Sequence, residues 1–171
     1  MRTRRLCSVT LAAIALGAFA ALGPLQAADS PEAAKAAAGE HERPLAISQV
    51  DATLQWADCP ALFPPGCKMA VLHGTPAEPA ADVFLRVPSG YTIPAHSHTS
   101  AERMILVSGQ LDVTYAGHAT VSLKRGDYAY GPAQLPHTAR CNGPEACTLF
   151  IAFNSAVDAI PFAVAIAKPV R

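Results

Sequence analysis

Residues 45–171 are predicted to form an all-β domain, a sandwich or barrel of antiparallel strands. From about residue 45 onward, short apolar runs alternate with polar residues at every second position, which is the period of a half-buried strand. Turn-forming residues interrupt these runs every 8 to 12 positions, and no long helical periodicity lies between them. This spacing is typical of antiparallel sandwiches and barrels.

Nine strands are expected in this domain. Each is a short apolar or alternating run, and most end at turn residues such as the Pro-Ser-Gly of 88–90 or the Asn-Gly of 142–143. The predicted strands cover residues 69–72, 82–87, 93–98, 102–108, 110–115, 119–123, 128–130, 137–141 and 147–154.

The N-terminal segment has the pattern of a secretory signal peptide over residues 1–27. Three arginines in the first five residues precede 23 uncharged residues, and the sequence Leu25-Gln26-Ala27 suits cleavage after Ala27. The alternative is an uncleaved membrane anchor, since 23 uncharged residues can span a bilayer. Residues 28–44 are interpreted as an alanine-rich extension that forms a marginal helix or is disordered.

Composition excludes several classes of function. The chain is 51% hydrophobic and 15% charged, which is too apolar for a disordered protein. Residues 28–171 carry 10 basic and 13 acidic groups, a net charge of about −3. A weakly acidic chain has no electrostatic reason to bind nucleic acid or, once the signal is cleaved, an anionic membrane. The expected partner is a small-molecule substrate or ligand.

Four cysteines remain after cleavage, and an even count is typical of disulfides in an oxidising compartment. The local pairing, Cys59 with Cys67 and Cys141 with Cys147, is the most economical of three. Zinc binding by four thiolates is the alternative, although the C-x7-C and C-x5-C spacings do not match structural zinc sites. Signal and cysteines together predict a periplasmic or secreted protein.

The candidate chemistry lies in three histidines and one acid. His96 and His98 are two residues apart, so on a strand both imidazoles point to one face. Glu102 begins the next predicted strand, and His137 follows a proline-bracketed loop. Three imidazoles and a carboxylate suit one divalent transition metal: Fe, Mn, Ni, Co, Cu or Zn. Taken alone, an H-x-H pair in an exposed hairpin is an ordinary surface feature.

The residues around this set resemble the cupin family over roughly residues 82–154. The first cupin motif, G-x5-H-x-H-x3-E-x6-G, is matched from Gly90 to Gly109. The second, G-x5-P-x-G-x2-H-x3-N, is matched at Gly126, Pro132 and His137, with Gln134 in place of glycine and Cys141 in place of asparagine. The resemblance implies a single-domain jelly-roll barrel and a homodimer.

The cupin resemblance also implies that the barrel holds the metal on His96, His98, Glu102 and His137. Glu102 is then a candidate catalytic base.

Function is interpreted first as a metal-dependent dioxygenase acting on a small, metal-chelating substrate. The alternatives are a metal-dependent lyase, isomerase or decarboxylase, and a non-catalytic binder of a metal or small ligand. One of Tyr128 and Tyr130 is expected to point into the barrel, and Tyr130 is taken as the catalytic candidate. Arg86 and Arg103 would bind a substrate carboxylate if they pointed inward.

Overall fold

The computed structural model describes residues 44–163, so the predicted signal peptide and nearly all of the predicted extension lie outside the described residues. This part of the chain is all-β. No helix within it is long and apolar enough to cross a membrane. The strands are β1 (Ala57–Asp58), β2 (Lys68–His73), β3 (Asp82–Val87), β4 (Thr92–Ser97), β5 (Glu102–Ser108), β6 (Leu111–Tyr115), β7 (Val121–Leu123), β8 (Tyr128–Gly131), β9 (His137–Cys141), β10 (Cys147–Phe153) and β11 (Ile160–Pro161).

All nine predicted strands are present, with ends that differ from the prediction by at most two residues. The strands that the sequence did not predict, β1 and β11, are two residues long. Alternation needs about four residues to be recognised, so strands this short leave no pattern. The prediction of an all-β domain is confirmed.

The strands form two antiparallel sheets that face each other, as expected for a jelly roll. One sheet has the order β1-β2-β3-β10-β5-β8, and the other has the order β11-β4-β9-β6-β7. The inner faces bury one continuous apolar core, which includes Val83 and Val87 of β3, Leu111 and Val113 of β6, and Leu149 of β10. Burial of these alternate positions fixes the register of each strand, because a slip by one residue would turn every apolar side chain outward.

The register of β5 explains how an acid enters this core. Met104 and Leu106 face inward, where they lie opposite Ile151 and Leu149 of β10. Glu102 has the same parity as Met104 and Leu106, so its carboxyl shares their inner face. Only 2% of Glu102 is exposed.

Two disulfides are present, with the local pairing that the sequence favoured. Cys59 is bonded to Cys67 and Cys141 to Cys147. The first closes the proline-rich loop before β2, and the second joins β9 to β10 across their connecting turn. Because all four thiols are used in these bonds, zinc binding by four thiolates is excluded. Cys141 thus takes up a disulfide at the position where the second cupin motif has asparagine.

Candidate metal centre

The register of one sheet places the histidines side by side. His96 lies on β4 directly opposite His137, the first residue of β9, and His98 follows the end of β4. The three imidazoles are 4–7% exposed. Their ring centroids are 4.4 to 5.3 Å apart, and their candidate ligand atoms all lie within 4.8 Å of one another. Three buried imidazoles at this spacing form a group that can hold a metal ion.

Backbone carbonyls fix which ring nitrogen faces the centre of the cluster. Nδ1 of His96 lies 2.7 Å from the oxygen of Pro94, and Nδ1 of His98 lies against the oxygen of Asp158. Nδ1 of His137 lies 3.3 Å from the oxygen of Leu135. A carbonyl oxygen only accepts hydrogen bonds, so each Nδ1 carries the hydrogen and donates it. The lone pair is therefore on Nε2, which is the arrangement that metal-ligating histidines adopt.

The carboxyl of Glu102 reaches this cluster from the opposite sheet. Its oxygens lie 3.2 Å from Nε2 of His137 and 3.5 Å from Nε2 of His98. Gly131 faces Glu102 across the β5–β8 pair, and a Cβ atom there would come within 2.6 Å of Oε1. The absence of a side chain at Gly131 therefore gives the carboxyl its position.

Burial sets the charge state of these four groups in the absence of a cation. It lowers the pKa of His96 to about 4 and that of His137 to about 3, and it also lowers the pKa of His98. It raises the pKa of the Glu102 carboxyl to about 8. Desolvation disfavours the charged form of both residue types, so the shifts have opposite directions. The imidazoles are consequently neutral at pH 7, as ligation requires.

The polar atoms of this cluster fit a cation. Among the described residues, three buried side-chain polar atoms have no hydrogen-bond partner, and two of them are Nε2 of His98 and Oε1 of Glu102. Buried polar groups without partners are rare and costly. Both atoms are electron-pair donors, and Nε2 of His98 lies 3.5 Å from the other oxygen of the same carboxyl, so a metal ion bound in the cluster would satisfy both. Nitrogen and carboxylate donors suit the transition metals expected from the sequence.

The third unpartnered atom is the hydroxyl of Tyr115, a residue that the sequence reasoning missed. Tyr115 lies opposite His137 on the neighbouring strand β6, with ring centroids 5.3 Å apart. Burial, together with the nearby Glu102, raises the pKa of this hydroxyl. The signal was available, because Leu111, Val113 and Tyr115 are alternate residues of one strand and share its inner face.

The expectation that Tyr128 or Tyr130 points into the barrel is wrong. Both lie on the outer face of β8 and are more than half exposed. The inner positions of β8 are Ala129 and Gly131, and the carboxyl of Glu102 occupies the space beside Gly131. On this strand of four residues, two tyrosines alternate with two small residues. The pattern alone does not tell which of these pairs faces the core.

The two arginines considered as carboxylate binders also point outward. Arg86 lies over the ring of Trp56, 4.1 Å from its centroid, and its Nε donates to Oγ1 of Thr148 at 3.2 Å. Arg103 donates to the side-chain oxygen of Asn154. Neither guanidinium reaches the interior of the barrel.

The loop before His137 keeps its turn without glycine. Gln134 has φ of 63°, and its N–H donates to the oxygen of His98 at 2.7 Å. A positive φ disfavours a residue with a Cβ, so glycine is the usual choice there. Here the hydrogen bond to the His98 backbone accompanies the strained conformation.

A cavity of about 120 Å³ lies between the sheets and adjoins the histidines and Glu102. Its wall includes inward residues from both sheets, such as Val83 and Leu149 of the six-stranded sheet and Ile93 and Val113 of the five-stranded one. Two loops line the rest. Phe63, from the loop closed by the Cys59–Cys67 disulfide, contacts the ring of His96 edge-on at 5.3 Å. The other loop, which contains Asp158, follows β10.

Residues 83–153 match a protein-family model described as a cupin domain. No curated protein shows significant sequence similarity to the chain.

Several solved structures share the fold. A polyketide cyclase from Streptomyces resistomycificus is 14% identical with a TM-score of 0.58, covering 72% of this chain and 88% of the cyclase. A DMSP lyase from Ruegeria pomeroyi is 19% identical with a TM-score of 0.54, covering 63% of this chain and 60% of the lyase. An RmlC-like cupin from Shewanella frigidimarina is 22% identical with a TM-score of 0.51, covering 61% and 86%. This chain therefore spans less than two thirds of the lyase, and at these identities the likeness shows the fold alone.

Proposed function

We propose that this chain, whose residues 83–153 match the cupin domain, is a metal-dependent enzyme acting on a small organic substrate. The observation that carries the proposal is the juxtaposition of an N/O ligand set with a cavity between the sheets. His96, His98, His137 and Glu102 would hold the ion, and each of these residues also lines the cavity. A substrate in the cavity would thus lie directly beside the metal position.

When bound, a divalent transition metal supplies a Lewis acid and, in the case of iron, reactivity toward dioxygen. The chain supplies the surroundings for this chemistry. The carbonyls of Pro94, Leu135 and Asp158 hold the imidazoles in one orientation. Apolar side chains form most of the cavity wall, and surroundings of low polarity strengthen electrostatic interactions within the cavity.

The first candidate activity is a dioxygenase that acts on a substrate with adjacent oxygen donors, such as an enol, a diketone or a catechol. It is supported by the buried, apolar surroundings of the ligand set. In this role Glu102 either remains a ligand or takes a proton from the substrate at a carboxylate oxygen. The carboxyl of Glu102 lines the cavity, so a carboxylate oxygen there would lie next to a bound substrate.

The second candidate is a lyase, isomerase or decarboxylase, which needs no redox change. The same carboxyl beside the cavity supports it, because lyases and isomerases of this kind remove a proton next to a carbonyl or leaving group, and a decarboxylase returns a proton to the carbon that loses CO2.

The cellular location is part of the proposal. Two disulfides in one small domain are typical of proteins that work outside the reducing cytosol. We therefore place the protein in the periplasm or outside the cell. The homodimer implied by the cupin resemblance stays a prediction.

Elemental analysis and a turnover screen test the proposal together. Protein purified from its native compartment should contain close to one transition-metal ion per chain. It should then be screened with enols, diketones and catechols after loading with Fe, Mn, Ni or Zn, with oxygen uptake recorded. Glu102→Gln keeps the shape of the side chain and should lower turnover by about 100-fold or more. His118→Ala, at an exposed turn, is the matched control and should leave turnover unchanged.

The outcomes separate the candidates. Oxygen uptake with iron that is lost in Glu102→Gln at full metal occupancy supports the dioxygenase. Turnover without oxygen uptake supports the lyase or isomerase. Full metal occupancy with no turnover of any substrate would leave a metal or small-ligand binder as the better account.

A further inference from the structure

We infer that the substrate of this site has an uncharged, apolar body of about four to six carbon atoms and bears its charge, if any, only on the oxygen donors that meet the metal. The inference rests on the proposed function and adds the chemical class of the substrate. Two features carry it, namely the charges around the cavity and its size.

Among the described residues, no positively charged side chain lines the cavity. Among the described residues that line it, the charged or titratable ones are the four candidate ligands and Asp158, and none is lysine or arginine. Asp158 is held at the wall by its side-chain oxygen, which accepts a hydrogen bond from the N–H of Thr99 at 3.0 Å. A second carboxylate on a substrate, held away from the metal position, would find no lysine or arginine beside it.

The side chains that would otherwise bind an acidic substrate are committed elsewhere. Arg86 stacks on Trp56, and Arg103 bonds to Asn154, both on the outer face of the six-stranded sheet. Burying an unpaired charge weakens binding strongly, so the site discriminates against dicarboxylates and sugar acids.

The size of the cavity limits the apolar part of the substrate. A dry cavity of about 150 Å³ lined by Leu, Ile and Phe is large enough for benzene. The cavity here is about 120 Å³ and is lined by the same side-chain types, including Leu85, Ile93 and Phe153. The apolar space between the sheets therefore accommodates a branched aliphatic group or one small ring.

Matched catechols test the inference. Protein loaded with ferric iron is titrated with 4-methylcatechol and with 3,4-dihydroxybenzoate, which have the same chelating head and differ in one methyl or carboxylate group. The readout is the ligand-to-metal absorption band, which reports binding and not turnover. We expect 4-methylcatechol to bind at least about 100-fold more tightly.

A charge-introducing variant makes the test specific to the cavity. Phe63 is half-buried in a loop and contacts His96, so Phe63→Arg places a cation at the cavity wall with little risk to folding. It should reduce the preference for 4-methylcatechol by at least about tenfold, mainly through tighter binding of the carboxylate. Phe63→Gln removes the ring without adding charge and should keep most of the preference.

The two proposals fail in different ways. If iron loads stoichiometrically and the two catechols bind within a few-fold of each other, the substrate class is overturned while the metal site stands. A preference that Phe63→Gln abolishes as fully as Phe63→Arg also overturns it, since charge would then not be the cause. Failure to take up any metal in elemental analysis contradicts the proposed function and the inference resting on it.

Discussion

Replacing Glu102 by Gln should stabilise the metal-free protein, although it removes a residue of the proposed site. Burial raises the pKa of this carboxyl to about 8, whereas in the unfolded chain it has the ordinary value of 4.5. Above pH 4.5 the unfolded chain therefore gives up this proton while the folded protein keeps it. Stability falls by up to about 1.4 kcal/mol per pH unit until the pH passes the folded pKa. Gln has no proton to lose, so the variant lacks this slope.

The expected difference can be worked out from these two values. Between pH 5 and pH 7 the stability of Glu102→Gln relative to wild type should increase by about 2–3 kcal/mol. The histidines act in the opposite direction. The stability that neutral His96 and His137 contribute is present above pH 6.5 and is lost as the pH falls toward 4 and 3. Both proteins contain them, so their effect cancels in the difference.

Urea unfolding in EDTA at pH 5, 6 and 7 measures this difference directly. Glu78→Gln is the matched control, because Glu78 is exposed and its carboxyl is in water in both states. Added Zn²⁺ should then stabilise wild type more than Glu102→Gln, since the ion binds only the folded site. A difference between wild type and Glu102→Gln that stays constant within about 0.5 kcal/mol from pH 5 to pH 7 would refute the reasoning.

Three further perturbations test the site and its support. His137→Ala should reduce bound metal to well below one ion per chain by elemental analysis, while the exposed-site control His118→Ala should not; equal metal content in wild type and His137→Ala would contradict the ligand assignment. Gly131→Ala should displace the Glu102 carboxyl and weaken metal binding by about 10- to 100-fold in a competition titration with a chelator, an effect absent if the carboxyl is not a ligand. Reduction of the disulfides should lower the free energy of unfolding by about 2–3 kcal/mol for each closed loop. Mass spectrometry of unreduced protein covering residues 44–163 should find no free thiol. Alkylation of all four cysteines would contradict the bridges.

The fold could be predicted from the sequence because strand alternation is a local signal. On β9 apolar and polar residues alternate, whereas β3, β5 and β10 contain short apolar runs bounded by turns, and the structure buries alternate positions of β5 and β9. The pairing of the sheets is not local, since β3 and β10 are neighbours although about 60 residues separate them. Only the cupin motifs supplied that topology in advance.

The site residues could be predicted where the sequence made clear which face of a strand each side chain is on. His96, His98 and Glu102 follow one another closely and belong to a dense motif, so their common location followed from the sequence. Tyr130 was placed wrongly because β8 is short and its two faces cannot be told apart by pattern. Tyr115 was missed for the converse reason: its strand has clear parity, but no motif drew attention to it.

The protonation of the site residues could not be predicted from the sequence, because it depends on which side chains pack around the ligands. Neutral imidazoles and a basic carboxyl result from apolar side chains of both sheets, and no single segment contains them. The same surroundings make the metal-free site costly, since Nε2 of His98 and Oε1 of Glu102 are buried without partners. Glu102→Gln should therefore raise the stability of the metal-free protein and lower the stability of the metal-bound protein. These opposite effects distinguish a metal centre from a polar cluster that serves the fold alone.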